Sequence, residues 1–184
     1  MDLRNYQQQL ASLIRGNSTV ELTDDSHLRS VAESVNLEVT REVILEWRRL
    51  SIEHYCRLTS SALKQLGLFQ TETQRFVATH DFSPYIEELG NAFLAALETH
   101  GHELIASLAA FERALIDVQQ GTRNEVTMRW RYDPYAVLDA VMKGTGLSML
   151  RPISLYEVHV AKDIDGLFRV NESGDRNNEF AVVR

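Results

Sequence analysis

The chain has 184 residues, of which 44% are apolar, 24% charged and 8% aromatic. This length predicts one domain, or one domain with a small addition, and the apolar share is large enough to build a core. There are 19 basic and 26 acidic residues, so the net charge is −7. That balance argues against a duplex-binding protein, because such proteins neutralise phosphates with a basic surface.

The cysteine content and the lack of long apolar stretches narrow the class further. A single cysteine, Cys56, excludes an internal disulfide framework and a cysteine-based zinc site. The first residues, MDLRNYQQQL, lack the apolar segment of a signal peptide, and no stretch approaches the roughly 18 uninterrupted apolar residues of a membrane span. We therefore expect a soluble cytoplasmic protein with no membrane partner.

The first third of the chain has the apolar spacing of helices. We predict a helix over residues 3–14 that stops at Gly16, then a short helix capped by Asp24 or Asp25. A longer helix is expected to begin at Thr40 as N-cap and to continue as far as Gly67. Its apolar residues fall on one stripe, with charged residues mostly opposite. The stripe consists of Val43, Trp47, Leu50, His54 and Leu58.

Three further helices are predicted before residue 121. The first follows Thr71 and ends near His80, and the second opens at Ser83-Pro84, a good N-cap followed by a proline at the first helical position. The third runs from about His102 to Val118, and Gly121 stops it.

The pattern changes after Gly121 to the period-2 alternation of strands. Strands are predicted over Val126–Tyr132, Leu155–Val160 and Leu167–Val170, the last two joined by a turn at residues 163–166. Between the first two, Asp133-Pro134 caps a short helix that ends at Gly144. Three apolar residues near the C-terminus suggest a short terminal strand: Phe180, Val182 and Val183.

The predicted fold is therefore mainly α. A helical body of about five to six helices, residues 1–121, is followed by a small α+β appendage, residues 122–184. The appendage contains a three-stranded antiparallel sheet, and we expect it to lie against the helical body.

The sequence has few residues in an arrangement that favours catalysis. His100 and His102 lie two residues apart, which puts them on different sides of any helix, and Glu87-Glu88 at a helix start suits the macrodipole. Cys56 has no assignable base and is expected to be a small buried residue. We therefore predict no catalytic residue, no metal ligand and no cofactor in this chain. An enzyme that uses these histidines or glutamates is the weaker alternative.

A basic and aromatic segment offers a contact surface. Arg129 and Arg131 alternate with Trp130 and Tyr132, with Arg123 and Arg151 nearby. Such a patch suits nucleic acid or an acidic peptide, but the same alternation is typical of a strand with one solvated and one buried face. Three candidate partner-binding residues come from it: Trp130, Arg129 and Arg131.

The helical body resembles a known family in three segments. They read REVILEWRRLSIEHYCRLTSSALKQLGLF, ETQRFVATHDFSPYIEELGNAFLAAL and LIASLAAFERALIDV. Together they resemble the HvfC- and BufC-like proteins, whose N-terminal domain was once labelled DNA-binding. The shared pattern includes a turn from His80 to Pro84 and a helix with Phe111 and Glu112. The resemblance covers roughly residues 3–120, and the rest of the chain is too short for the second domain of longer members.

The resemblance implies a function without catalysis in this chain. Members are partner subunits of multinuclear non-haem iron oxygenases, which modify ribosomally made precursor peptides, often at cysteine; the methanobactin and 3-thiaglutamate partners are of this class. The iron is then expected in the oxygenase, and this chain would bind the precursor peptide. The alternative is a DNA-binding transcriptional regulator.

The predicted sheet offers a means of peptide binding, because an edge strand can pair with an extended peptide. The same side chains would otherwise simply face the helical body. The candidate contact residues are Tyr156, Val158, Val160, Phe168 and Val170.

Overall fold

The computed structural model describes residues 2–15, 26–80 and 85–172. In these ranges the fold is mainly α with a three-stranded antiparallel sheet near the C-terminus, as predicted. The helices are α1 (Leu3–Arg15), α2 (Ser26–Ala32), α3 (Val35–Tyr55), α4 (Arg57–Gln65), α5 (Phe69–Thr79), α6 (Ile86–Leu97), α7 (Glu103–Gln120) and α8 (Pro134–Lys143), with a single 3-10 turn at Leu147–Met149. The strands are β1 (Glu125–Trp130), β2 (Tyr156–Ala161) and β3 (Phe168–Glu172).

The first two helices form a small cluster with the start of α3. Leu13, Leu28 and Leu37 are buried together, one from each helix. Arg41 of α3 donates from Nε to the carbonyl oxygen of Leu13 over 2.9 Å. This bond satisfies a carbonyl near the end of α1, where intrahelical partners are missing. The predicted stop at Gly16 and the predicted caps at Asp24 and Asp25 lie outside the described residues.

Helix α3 begins and ends differently from the prediction. Its N-cap is Ser34, whose side chain accepts from the backbone N–H of Asn36 over 3.2 Å. Thr40, the predicted cap, lies inside the helix and donates its hydroxyl to the carbonyl of Asn36. The expected continuation to Gly67 is wrong, because the backbone leaves the helical region at Cys56 and α4 starts there as a separate helix.

A carboxylate from another helix stabilises the start of α4. Glu112 of α7 is buried and accepts from the backbone N–H groups of Leu58 and Thr59, each over 2.8 Å. These two N–H groups belong to the first turn of α4 and have no partner within that helix. Glu112 thus takes the place of an N-cap residue in the sequence of α4.

The later helices keep several predicted ends. Helix α5 starts at Phe69, ahead of the expected Thr71, and ends at the predicted His80. Helix α7 ends at Gly121, which has the left-handed φ of 75° that favours glycine. The predicted opening of α6 at Ser83-Pro84 lies outside the described residues.

The appendage helix α8 has the predicted N-cap, and hydrogen bonds connect its C-terminal end to the helical body. Asp133 accepts from the backbone N–H of Tyr135 over 2.9 Å. At the C-terminal end, Ser61 and Gln65 of α4 donate to the carbonyls of Val141 and Ala140, each over 3.1 Å.

The sheet has the order β1-β2-β3, with β2 in the centre. In its register Met128 lies opposite Val158, which lies opposite Val170. The inner face of the sheet packs on α7, where the ring of Phe111 meets Trp130 at 5.5 Å and Phe168 at 5.2 Å between centroids. Residues of the body and of the appendage therefore belong to one hydrophobic core. The predicted terminal strand at Phe180, Val182 and Val183 lies outside the described residues.

None of the helices within the described ranges is both long and apolar enough to cross a membrane.

Candidate docking surface

One face of α3 is apolar and exposed. The side chains are spaced four, four, four and three residues apart, so they lie on one ridge of a helix. They remain in contact with solvent, with Val43 62% exposed, Leu50 56% and Trp47 49%. We call this surface the α3 stripe, and it consists of Val35, Val39, Val43, Trp47 and Leu50. At 1.5 Å per residue it is about 22 Å long.

The opposite face of α3 is the one that packs on the protein. Leu37 and Ile52 are buried there, and Tyr55 packs on the main core. The helix thus carries apolar residues on two sides, while its neighbours cover only one of them. A helix that is apolar on both sides normally has both sides covered. Contiguous exposed apolar surface is typical of a site of protein association.

Acidic residues follow one border of the α3 stripe. At 100° per residue, Glu38, Glu42, Glu46 and Glu53 fall within about 80° of one another, next to Val35 and Val39. Glu46 pairs with Arg49 over 3.4 Å and Glu53 pairs with Lys64 over 2.5 Å. Glu38 and Glu42 are exposed and make no ion pair with any described residue.

The stripe leads into a groove between α3 and α4. Leu50 lines two adjoining cavities there, of about 690 and 420 Å³. The larger one also has the exposed side chains of His54 and Arg57, and in the smaller one the ammonium of Lys64 lies 5.2 Å from the ring centre of Phe69. An elongated ligand on the α3 stripe would therefore reach a concave polar site at the C-terminal end of the stripe.

The predicted stripe and the observed one overlap only in part. Val43, Trp47 and Leu50 share one face, as the spacing indicated, and the structure shows that this face is exposed, with His54 at its end. Leu58 does not belong to it, because α3 stops at Tyr55 and Leu58 turns toward the core from α4. Val35 and Val39 were missed because the helix was expected to start at Thr40. The signal that would have found them is the four-residue spacing, which continues backwards from Val43.

The predicted peptide-contact residues do not lie together on an accessible surface. Val158 and Val160 belong to the central strand and are fully buried, so a direct peptide contact by their side chains is wrong in this structure. Tyr156 is on the same strand and packs partly on the core. Phe168 and Val170 belong to the edge strand β3, although their side chains also face the core.

The backbone of β3 nevertheless offers hydrogen-bonding groups at the sheet edge. Ala161 donates its N–H to the carbonyl of Leu167, and ladder bonds alternate along an antiparallel pair. The N–H and C=O groups of Phe168 and Val170 therefore point away from β2. Among the described residues no further strand pairs with them.

Of the three predicted basic and aromatic contact residues, one is buried and two are exposed. Trp130 is 2% exposed and packs on Phe111, so its prediction as a contact residue is wrong. Arg129 and Arg131 are exposed on the far side of β1 and beyond its end. Arg131 pairs with Glu103 of α7 over 3.7 Å.

The groups considered for catalysis are dispersed. Cys56 is fully buried, its thiol donates to the carbonyl of Gly90 over 3.5 Å, and burial raises its pKa far above the ordinary range. His100 lies 3.4 Å from the buried carboxylate of Glu72, and its Nδ1 accepts from the backbone N–H of His102. In residues 2–15, 26–80 and 85–172 no three potential ligands come together in a metal site.

Comparisons of the chain with protein-family models, with curated proteins and with solved structures found no match.

Proposed function

We propose that the chain is a non-catalytic partner subunit that docks onto a multinuclear non-haem iron oxygenase and holds a ribosomal precursor peptide for modification. The observation that carries the docking part is the α3 stripe, a ridge of large apolar side chains that no described element covers. The resemblance of the helical body to the HvfC- and BufC-like proteins supplies the identity of the partner. The iron then belongs to the oxygenase.

The α3 stripe supports this proposal by its length and its position on the helix. Its length of about 22 Å corresponds to four helical turns, enough for the central anchors of a protein interface. The buried hot spots of interfaces are enriched in tryptophan, and Trp47 belongs to the stripe, between Val43 and Leu50. The stripe is on the opposite side of α3 from the core, so a partner can cover it without any rearrangement of the fold.

The free edge of β3 is the proposed place for the precursor peptide. An extended peptide that pairs with this edge would bond to the backbone groups of Phe168 and Val170. The side chains of these residues would then support the strand from the core side, while the peptide obtains its affinity from the backbone. This replaces side-chain contacts at Val158 and Val160 with main-chain contacts at β3.

The docking is tested by co-expression with an oxygenase of this class from the same genome, followed by size exclusion with light scattering. We expect a one-to-one complex with the wild-type chain and none with the double variant Val43→Asp/Leu50→Asp. The control is Met142→Asp/Met149→Asp, which places the same charges at exposed apolar residues outside the stripe. Elution of the wild-type chain alone, or equal loss in both variants, would contradict the proposal.

The peptide site is tested in the same complex with a fluorescently labelled precursor peptide. Val170→Pro removes one outward N–H without removing a bond to β2, and we expect peptide binding to weaken at least tenfold. Val170→Ala removes the same side chain and keeps the N–H, so its binding should remain near wild type. Equal losses in the two variants would show that the peptide does not pair with this edge.

A further inference from the structure

We propose that the α3 stripe accepts an amphipathic helix of a partner protein whose apolar face is bordered by lysine or arginine. This deepens the proposed function, since it rests on the stripe being the docking surface and adds the chemistry of what docks there. The juxtaposition that carries it is the row of glutamates along one border of an exposed apolar ridge.

The shape of the stripe favours a helix as its occupant. Side chains at spacings of four and three residues form a ridge, and such ridges fit the grooves between the side chains of another helix. A strand or loop would leave backbone N–H and C=O groups against the apolar surface, where α3 has no free groups to pair with them. A docked helix satisfies its own backbone internally.

The glutamates beside the α3 stripe favour positive charges along the border of the partner helix. Glu38 and Glu42 are exposed and unpaired among the described residues, and Glu46 remains 61% exposed beside Arg49. When the apolar ridge is covered, these carboxylates lose part of their hydration unless cations face them. Lysine or arginine at matching positions of the partner helix would pair with them at the rim of the interface.

The same carboxylates disfavour the other occupants of an apolar face. A second copy of this chain brings the same row of glutamates, so two α3 stripes packed antiparallel would place carboxylates against carboxylates. Anionic lipid surfaces attract helices whose polar border is basic, and here it is acidic. DNA phosphates would be repelled for the same reason.

The test uses two synthetic helical peptides of about 18 residues, about five turns, with identical leucine ridges. One has lysine and the other glutamate along the border that would face Glu38 and Glu42. Binding is followed by the emission of Trp47, which lies on the stripe, whereas Trp130 is already buried. We expect a blue shift with the lysine peptide and at least about tenfold weaker binding of the glutamate peptide, a preference that salt reduces.

Two charge-reversal variants make the assignment specific. In Glu38→Lys/Glu42→Lys the preference should reverse in favour of the glutamate peptide. In Glu87→Lys/Glu88→Lys, which changes the net charge equally at exposed positions on α6, the wild-type preference should remain. Val43→Asp/Leu50→Asp should bind neither peptide.

Three results would overturn the inference. They are equal affinity for the two peptides, a concentration-dependent dimer that Val43→Asp/Leu50→Asp abolishes, and a Trp47 shift on anionic phospholipid vesicles without peptide. The first of these leaves the oxygenase complex intact if docking is apolar but not charge-selective. Conversely, the chain can prefer the lysine peptide and yet form no complex with the oxygenase. In that case the inference about the α3 stripe is supported and the proposed identity of the partner is wrong.

Discussion

The close approach of α3 and α6 depends on the absence of a side chain at Gly90. A methyl group built there would overlap the ring of Tyr55, whose Cγ would lie only 2.6 Å from it. The overlapping ring atoms lie close to the α3 backbone, so the ring or the two helices must shift to admit the methyl. Overpacking of this kind costs about 1–3 kcal/mol, against about 1 kcal/mol that alanine gains over glycine in a helix.

We therefore expect Gly90→Ala to lower the free energy of unfolding, measured by urea denaturation. The matched control is Gly101→Ala, where the added methyl meets open space and the stability should change by less than about 0.5 kcal/mol. A Gly90→Ala protein at least as stable as wild type would show that the ring of Tyr55 or the two helices can shift at little cost.

The buried carboxylate of Glu112 makes the stability depend on pH. Burial raises its pKa above the ordinary value of 4.5, although the N–H groups of Leu58 and Thr59 act in the opposite direction. The folded protein thus holds this proton to higher pH than the unfolded chain does. Its contribution to stability is fully present below pH 4.5 and falls as pH rises toward the raised value.

Replacement of Glu112 by glutamine removes this titration. Both oxygens of the carboxyl group can accept from an N–H group whether or not it is protonated, but the glutamine NH2 cannot, so one of the two bonds is lost and we expect the variant to be less stable by about 1–3 kcal/mol. The difference between wild type and Glu112→Gln should become smaller as pH rises above 4.5. Urea denaturation across a pH series measures it, and a difference that grows with pH would mean that the N–H bonds outweigh burial.

At the scale of the element, α8 depends on its N-cap. The carboxylate of Asp133 accepts from the N–H groups of Tyr135 and Ala136 at the start of this helix. Asp133→Ala should cost about 1 kcal/mol. Asp139→Ala, which removes only an exposed pair with Lys143, should cost about 0.5 kcal/mol or less. The shifts in Tm of the two variants are measured by thermal unfolding. Equal shifts would show that Asp133 does not stabilise α8 as an N-cap.

Helix α3 shows what the sequence can and cannot predict about an element. Its existence and the alignment of Val43, Trp47 and Leu50 follow from spacing alone. Which side is buried does not, because Leu37, Ile52 and Tyr55 form a second apolar face with the same period. Only the positions of the neighbouring helices decide between the two faces. Local sequence does not predict the end of α3 at Cys56 either, since the carboxylate that binds the N–H of Leu58 belongs to Glu112, 54 residues further along the chain.

The sheet shows a similar division. Alternation predicted its three strands to within about two residues, and the hairpin turn fell where expected. Alternation does not tell which strand is central, and the order β1-β2-β3 places Val158 and Val160 inside. The side-chain contacts that the sequence predicts therefore fall on residues that the helical body covers, whereas the accessible groups are backbone atoms of β3.

At the scale of the whole molecule, the boundary near residue 121 separates an all-helical part from an α+β part, but the two parts share one core. Trp130, Val158 and Val160 of the sheet belong to the same buried cluster as Phe111 and Val118 of α7. Ser61 and Gln65 connect α4 to the end of α8 as well. Removal of the sheet would expose one side of α7 to water, so neither part is expected to keep its stability alone.

This shared core predicts that the helices and the sheet unfold together. The variant Trp47→Phe leaves Trp130 as the single tryptophan, so its fluorescence reports the contact between the sheet and α7, while far-UV circular dichroism reports mainly the helices. In a two-state transition the two signals have the same urea midpoint. A fluorescence midpoint well below the dichroism midpoint would mean that the sheet detaches first, and that the helical body holds a core of its own.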